Sequence, residues 1–354
     1  MRAKGVIVVP PADRMIGSWL DATRATSLHR IANRPIICHA LDALADAQIT
    51  EVVIVTPPEA AREVMDCIER EGPSSVDIRQ VMHDYQLDPA VTLDTVAEMI
   101  GDAPAIVHRA NGLLGTPLTP LLDSLEEESA DLVLLVAPGA RNTERLAPTS
   151  QRMLRIAELD PDKSAFGVAG VCVLAPGAFR HVRGATWSAH GLELETVAEG
   201  LASAGGCIHV RVVRAWRSFT GNAVDLLDMN RAVLDTLEDH LTPAETNGNR
   251  FEGRVLIDPT ASVSASVICG PAIVGAGAQI ADSYIGPHTS IGENVHVECA
   301  EIERSIVLSG ASIQHVGGRL VASVVGRDAR IFRDFSVPRA IRLQVGDGDE
   351  VALC

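Results

Sequence analysis

Short aliphatic runs alternate with segments of helical spacing through the first two thirds of the chain. Val6–Val9, Val52–Val55, Val76–Val81, Ala105–Val107, Leu132–Val136, Val168–Leu174 and Ile208–Val213 read as strands. Between them, Ile36, Ile37, Ala40, Leu41 and Leu44 recur at helical spacing behind Pro35. Pro57 and Pro58 open a second helix with Val64, Met65 and Ile68 on one face. Val91–Ile100 predicts a third, closed by Gly101, and Leu194–Ala204 another. Strands apolar on both faces, alternating with helices, predict a mostly parallel sheet covered on both sides.

The pattern changes near residue 237. The segment 238–253 (EDHLTPAETNGNRFEG) is polar and turn-rich, and it predicts a linker. Beyond it a six-residue step appears: Ile257 to Val263, Val274 to Ile280, then Ile285, Ile291 and Val297. Looser turns follow around Ile306, Ile313, Val324 and Ile331. An aliphatic every six residues predicts a parallel β-helix with these side chains stacked inside, since strand alternation would not select that period. The expected domains are 1–237, an α/β domain; 238–253, a linker; 254–340, the β-helix; and 341–354, a tail.

Composition narrows the chemistry. Lys plus Arg is 30 and Asp plus Glu is 46, a net −16. That argues against a large nucleic-acid face, which needs clustered positive charge. No basic run suits an anionic membrane. The weakly polar run from Ala165 to Phe179 is shorter than the roughly 18 residues of a membrane span. The seven cysteines form no CxxC pair, so free thiols in a reducing cytoplasm are expected. No HExxH or GxSxG motif occurs. The run Glu126-Glu127-Glu128 reads as a solvated helix end.

Three stretches carry a family resemblance. IANRPIICHALDALADAQITEVVIVT (31–56) is similar to the segment after the active-site loop of sugar-1-phosphate nucleotidyltransferases. GNAVDLLDMNRAVLDTL (221–237) resembles the segment closing their catalytic domain. IADSYIGPHTSIGENVHVECAEIERSIVLSGASI (280–313) resembles the β-helix of the long glucose-1-phosphate thymidylyltransferases. The resemblance implies a Rossmann-like nucleotidyltransferase domain followed by a left-handed β-helix of hexapeptide repeats. It implies a nucleotide, sugar phosphate or nucleotide sugar as ligand, and a homo-oligomer or a hetero-oligomer with an active paralogue.

The residues that carry this family's chemistry differ here. Its phosphate loop is glycine-rich, because backbone N–H donors cradle phosphate. This chain has Pro10 and Pro11 there, which lack N–H groups, and then Asp13. The loop arginine matches Ile16 without gaps and Arg14 with a small deletion. The lysine matches Thr26, flanked by Arg24 and Arg30. The first magnesium aspartate, in a Gly-Asp-Asn turn, falls in Arg109-Ala110-Asn111-Gly112. The second, in Asp-Thr-Gly-Thr, falls at Phe219.

On the sugar side, Glu158 is kept from Glu-Lys-Pro with Lys163 nearby, Gly170 is kept, and Cys172 replaces a tyrosine. Glu195 matches the Gly-Glu-Leu-Glu segment. The base-reading glutamine falls near His83, with Gln80 and Gln86 offset. The nucleotide positions are therefore Pro11, Asp13, Arg14, His83 and Asn111, and the substrate positions Glu158, Gly170, Cys172 and Glu195. No metal set is formed.

Three readings follow. The first is a homologue without the family's Mg-dependent transfer, acting as a partner or on another ligand. The second is an active enzyme for an unusual sugar or cyclitol phosphate, needing Mg²⁺ and using Arg14, Arg24 and Lys163. The third is a β-helix acyltransferase using His288, His296 or His315.

Overall fold

The computed structural model describes residues 2–11, 25–84, 90–138, 166–181, 187–188, 191–238, 248–333 and 335. The central sheet has seven strands: β1 (Lys4–Val8), β2 (Glu51–Thr56), β3 (Asp77–Met82), β4 (Ala105–Arg109), β5 (Leu132–Pro138), β6 (Phe166–Leu174) and β7 (Ile208–Val212). Their spatial order is β7-β5-β6-β4-β1-β2-β3. Strand β6 runs antiparallel to both β4 and β5, and the other pairs are parallel. The sheet is therefore mostly parallel, as its two-sided apolar runs predict. Edge strand β3 is the exception. Asp77 and Met82 are exposed on it, because it has only one neighbouring strand.

Helices α1 (Ile36–Asp46), α2 (Ala61–Glu71), α3 (Ala90–Ile100), α4 (Thr119–Glu127), α5 (Leu194–Ser203) and α6 (Ala223–Leu234) complete the domain. One core joins Ile7, Ile54 and Ile106 to α1, α2 and α4. The other joins Val8, Val107 and Cys172 to α3 and α5. Helix α4 was legible only as its acidic end, where Glu127 and Glu128 are exposed. Among the described residues no helix is long and apolar enough to cross a membrane, and the six described cysteines are free.

The C-terminal unit is a left-handed β-helix of three five-stranded parallel sheets. Its first strand, Arg250–Glu252, pairs with Val267–Cys269 and lies within the segment expected as linker. Up to Val297 the six-residue step holds for two sides of each coil and not the third; beyond it, register partners Val297 and Ile313 are 16 apart. Partners Arg250, Val267, Tyr284 and Glu301 are 17 apart, and Glu301 to Arg319 is 18. The interior ladder runs Ile268, Val274, Ile280, Ile285, Ile291, Val297 and Ile302, all at most 1% exposed.

The five-residue step turns through one left-handed residue, at Ala265, Asp282 and Cys299. A buried serine follows two of these corners. Ser283 N donates to Ser266 Oγ at 3.1 Å, and Ala300 N to Ser283 Oγ at 3.2 Å. These bonds satisfy amide groups that the tighter corner removes from the ladder.

One β-helix face docks on the α/β domain through a polar hub. Asn230 of α6 is fully buried. Its Oδ1 accepts from Ala32 N at 2.7 Å and Ser290 Oγ at 2.6 Å, while Nδ2 donates to His288 O at 3.2 Å. Asn33 Nδ2 donates to Ile291 O at 2.6 Å. Ile31, Ile36, Phe219, Leu226, Met229 and Ile306 pack around these bonds. Asn230→Ala strands buried donors on both domains, so a loss of about 2–3 kcal/mol is expected. Urea unfolding followed by fluorescence checks it, and an unchanged midpoint would remove the hub's role.

Candidate functional site

The chain passes from β1 to β2 and β3 on one side and returns to β4 on the other. The carboxyl ends of β1 and β4 thus flank a topological switch point, where open α/β sheets place their ligands. After β1, Val9 N donates to Val55 O at 2.9 Å. Pro10 is buried and Pro11 half-buried. Asp13, Arg14, Ile16 and Arg24 lie outside the described residues.

The chain re-enters at the turn Thr26–Leu28. Thr26 and Ser27 are buried, and their hydroxyls have no partner among the described residues. His29 sets its ring edge-on to Phe219, with centroids 4.9 Å apart. Arg30, which flanks the position of the family's lysine, forms a bidentate pair with Glu71 of α2, at 2.9 and 2.7 Å, and its charge is spent on holding the turn to that helix.

Beyond β4, Asn111 and Phe219 face one another. Phe219 N donates to Asn111 O at 2.8 Å, and Asn111 Nδ2 donates to Phe219 O at 3.3 Å. The structure therefore brings Phe219, the position the resemblance gives to the second magnesium aspartate, against Asn111, which with Ala110 is a candidate position for the first. Neither offers a carboxylate. Asn111 Oδ1 is a buried neutral acceptor without a partner among the described residues. The Phe219 side chain is 1% exposed and packs into the interdomain cluster. Asp225, in the first turn of α6, accepts from Thr220 N at 3.0 Å and also from Thr220 Oγ1.

Magnesium demands near-octahedral oxygen ligands, usually with one or two carboxylates. Among the described residues no group of three acidic, His or Cys side chains could hold a metal. The residues at these two positions do not fit the ion, and no chemical step is routed through it.

The base side is equally altered. His83 is buried at the end of β3, with Nδ1 2.9 Å from Thr92 Oγ1 of α3. Burial pushes its imidazole below the ordinary value. Gln80 donates to Thr56 Oγ1 at 3.0 Å and Ala61 O at 2.8 Å, so it fastens the start of α2. Gln86 lies outside the described residues.

On the sugar side, Glu158 and Lys163 also lie outside them. Cys172 is fully buried in β6, in register with Val107 and Leu134. Burial pushes its thiol up to about 12. Gly170 is required by crowding: an added Cβ would meet Trp216 Cζ2 at 2.6 Å and Arg109 Cβ at 3.0 Å. Trp216 belongs to a strand (Trp216–Ser218) paired antiparallel with Gly112–Leu114. Its indole also meets the His108 ring edge-on, 5.7 Å between centroids.

Glu195, in the first turn of α5, lies 3.9 Å from Arg109 Nη2. Arg109 also donates Nε and Nη2 to Leu192 O, at 3.2 and 3.0 Å. Neither Arg109 nor Trp216 was singled out from sequence. For Arg109 the available signal was a charged residue in the stretch matched to the family's Gly-Asp-Asn turn.

The β-helix histidines serve separate structural contacts. His288 Nε2 lies 2.8 Å from Asp235 Oδ1 at the domain interface, and His296 Nε2 lies 3.5 Å from Glu298. His315 sets its ring against Phe335. A groove of about 670 Å³ on this domain is lined by Asp282, Tyr284, Cys299, Glu301 and Arg319. Arg319 is already paired with Glu301 and Glu303 and covers the Tyr284 ring.

The Nucleotidyl transferase family model matches residues 20–146. The glucose-1-phosphate thymidylyltransferase of Streptomyces griseus is 30% identical over 333 residues, covering 92% of each chain. This chain belongs to the sugar-1-phosphate nucleotidyltransferase family. The family's glucose-1-phosphate thymidylyltransferase of Streptomyces antibioticus is 29% identical over 348 residues, covering 94% of each chain. A Bacillus anthracis crystal structure described as a glucose-1-phosphate thymidylyltransferase in complex with sucrose superposes with a TM-score of 0.52. It covers 68% of this chain and 98% of that one. At 17% identity, this last likeness concerns the fold alone.

Proposed function

We propose that this family member does not carry out Mg-dependent nucleotidyl transfer. It serves nucleotide-sugar biosynthesis as a ligand-binding or partner subunit. The observation that carries this reading is the Asn111–Phe219 pair, bonded through the backbone at 2.8 Å and lacking a carboxylate on either side chain. Transfer between a nucleoside triphosphate and a sugar phosphate depends almost wholly on positioning and on neutralising developing charge. A neutral amide and a phenyl ring buried between domains supply neither a metal site nor a counter-charge. The proline pair in the loop after β1 supports the same reading, because it removes two backbone donors.

The test is pyrophosphate release by the full chain from dTTP or each other NTP, with glucose 1-phosphate and Mg²⁺. No release above background is expected. Turnover at about 1 s⁻¹ or faster, ordinary for enzymes, would overturn the proposal. A β-helix presents ladder-like faces for association, so the reading also expects an oligomer, alone or with an active paralogue. Sedimentation of the protein alone and mixed with such a paralogue measures this, and a monomer in both would count against the partner role.

A further inference from the structure

The tip of β4 carries a cation for which the core has no need. Arg109 opens the Arg109-Ala110-Asn111-Gly112 stretch that the resemblance matches to its Gly-Asp-Asn turn. Its side chain is only 14% exposed. Burying a guanidinium is costly unless hydrogen bonds and a counter-charge compensate. Here the compensation is partial. Two donors, Nε and Nη2, converge on one carbonyl oxygen, that of Leu192. The Glu195 carboxylate stands 3.9 Å from Nη2, inside ion-pair range and beyond a hydrogen bond. Nη1 has no partner among the described residues, which leaves its two N–H groups available.

The surroundings select for an anion. Arg109 lies at the carboxyl edge of the sheet beside the switch point, its Cβ next to Gly170 and the Trp216 ring packed over that glycine. The following Ala110 and Asn111 add no negative charge. The thiol of Cys172, which faces the Arg109–Glu195 pair, stays neutral because burial holds it at about 12. A planar fork with spare donors matches two oxygens of a phosphate group.

We propose that Arg109 is an anion-binding residue that takes a phosphate monoester in this crevice without a metal ion. The inference rests on the functional reading above in one respect: with both metal carboxylates missing, neutralising a phosphate falls to a side chain.

Calorimetry on the full chain in EDTA tests it, with glucose 1-phosphate, inorganic phosphate and glucose as probes. Glucose 1-phosphate and phosphate are expected to bind and glucose is not. Tighter binding of the ester than of phosphate marks a sugar-ester site, and equal binding marks a bare phosphate site. Arg109→Gln should weaken phosphate binding at least tenfold. Glu195→Gln, which frees the guanidinium from its competing carboxylate, should tighten phosphate binding several-fold. The second variant keeps the test decisive if the first does not fold. Binding that requires Mg²⁺, is absent in EDTA, or is unchanged in both variants overturns the proposal. Pyrophosphate release reads the broader functional proposal separately: turnover with Arg109-dependent binding in EDTA sinks that proposal alone, and no turnover with no binding sinks this one alone.

Discussion

Gly112→Ala is expected to destabilise the α/β domain by about 3 kcal/mol or more, toward the upper end of core overpacking. The cause is the Trp216 indole. An added Cβ at Gly112 would fall inside van der Waals contact of Cη2 and Cζ2 and only 2.9 Å from Cζ3. The ring has nowhere to retreat. Its other contacts include the Cβ position of Gly170, at 2.6 Å from Cζ2, and the His108 ring. The backbone is fixed as well, because Ser218 pairs with Gly112 and Trp216 with Leu114. Urea unfolding monitored by circular dichroism reads the loss. Because the damage is a clash and not lost helix or strand propensity, Trp216→Phe should rescue part of it. The double variant should then be more stable than the sum of the single effects predicts, by about 1 kcal/mol or more. Strict additivity would show that the indole does not set the requirement for glycine.

Acidification should weaken the fold between pH 6.5 and 4, with His108 as a main contributor. This imidazole is fully buried, its Nδ1 lies 2.7 Å from Arg109 O, and its Nε2 has no partner among the described residues. Burial lowers its pKa from 6.5 to about 4. A depressed pKa on a base means that the unfolded chain binds the proton more readily. The native advantage is therefore complete above pH 6.5 and is lost as pH falls toward 4. At about 1.4 kcal/mol per unit, His108 accounts for about 3 kcal/mol over that window. His39 is also pushed down to about 4, first by burial, and acts in the same direction. Asp42, raised by burial, acts in the opposite direction. Stability measured in urea from pH 7.5 to 4 should decline, and His108→Gln should flatten the decline by up to one proton. An unchanged slope in that variant would assign the acid sensitivity to other groups.

Much of the architecture was legible in the chain because burial imposes a period. Val6–Val9 and Val52–Val55 are apolar throughout because helices cover both sheet faces there. Edge strand β3 carries Asp77 and Arg79 because one edge faces water. The β-helix period was visible for the same reason, since each coil must turn an aliphatic inward. The five-residue side was harder to see. A left-handed corner residue and a buried serine replace a hexad there, and neither has an apolar signature.

The candidate site divides along the same line. Sequence by itself determined residue identity: prolines in the loop after β1, no carboxylate at Asn111 or Phe219, and glutamate at position 195. Those identities limit the chemistry, because an amide or a phenyl ring cannot become a carboxylate in any fold. Only the tertiary structure decided what each side chain spends its polarity on. Arg30 is consumed by Glu71, and Gln80 by the start of α2. Cys172 is buried, Asn111 meets Phe219 across 108 residues of chain, and Arg109 stands 3.9 Å from Glu195. Charge and hydrogen-bonding capacity are properties of a residue type. Whether they remain available to a ligand depends on neighbours that the chain brings together only when it folds.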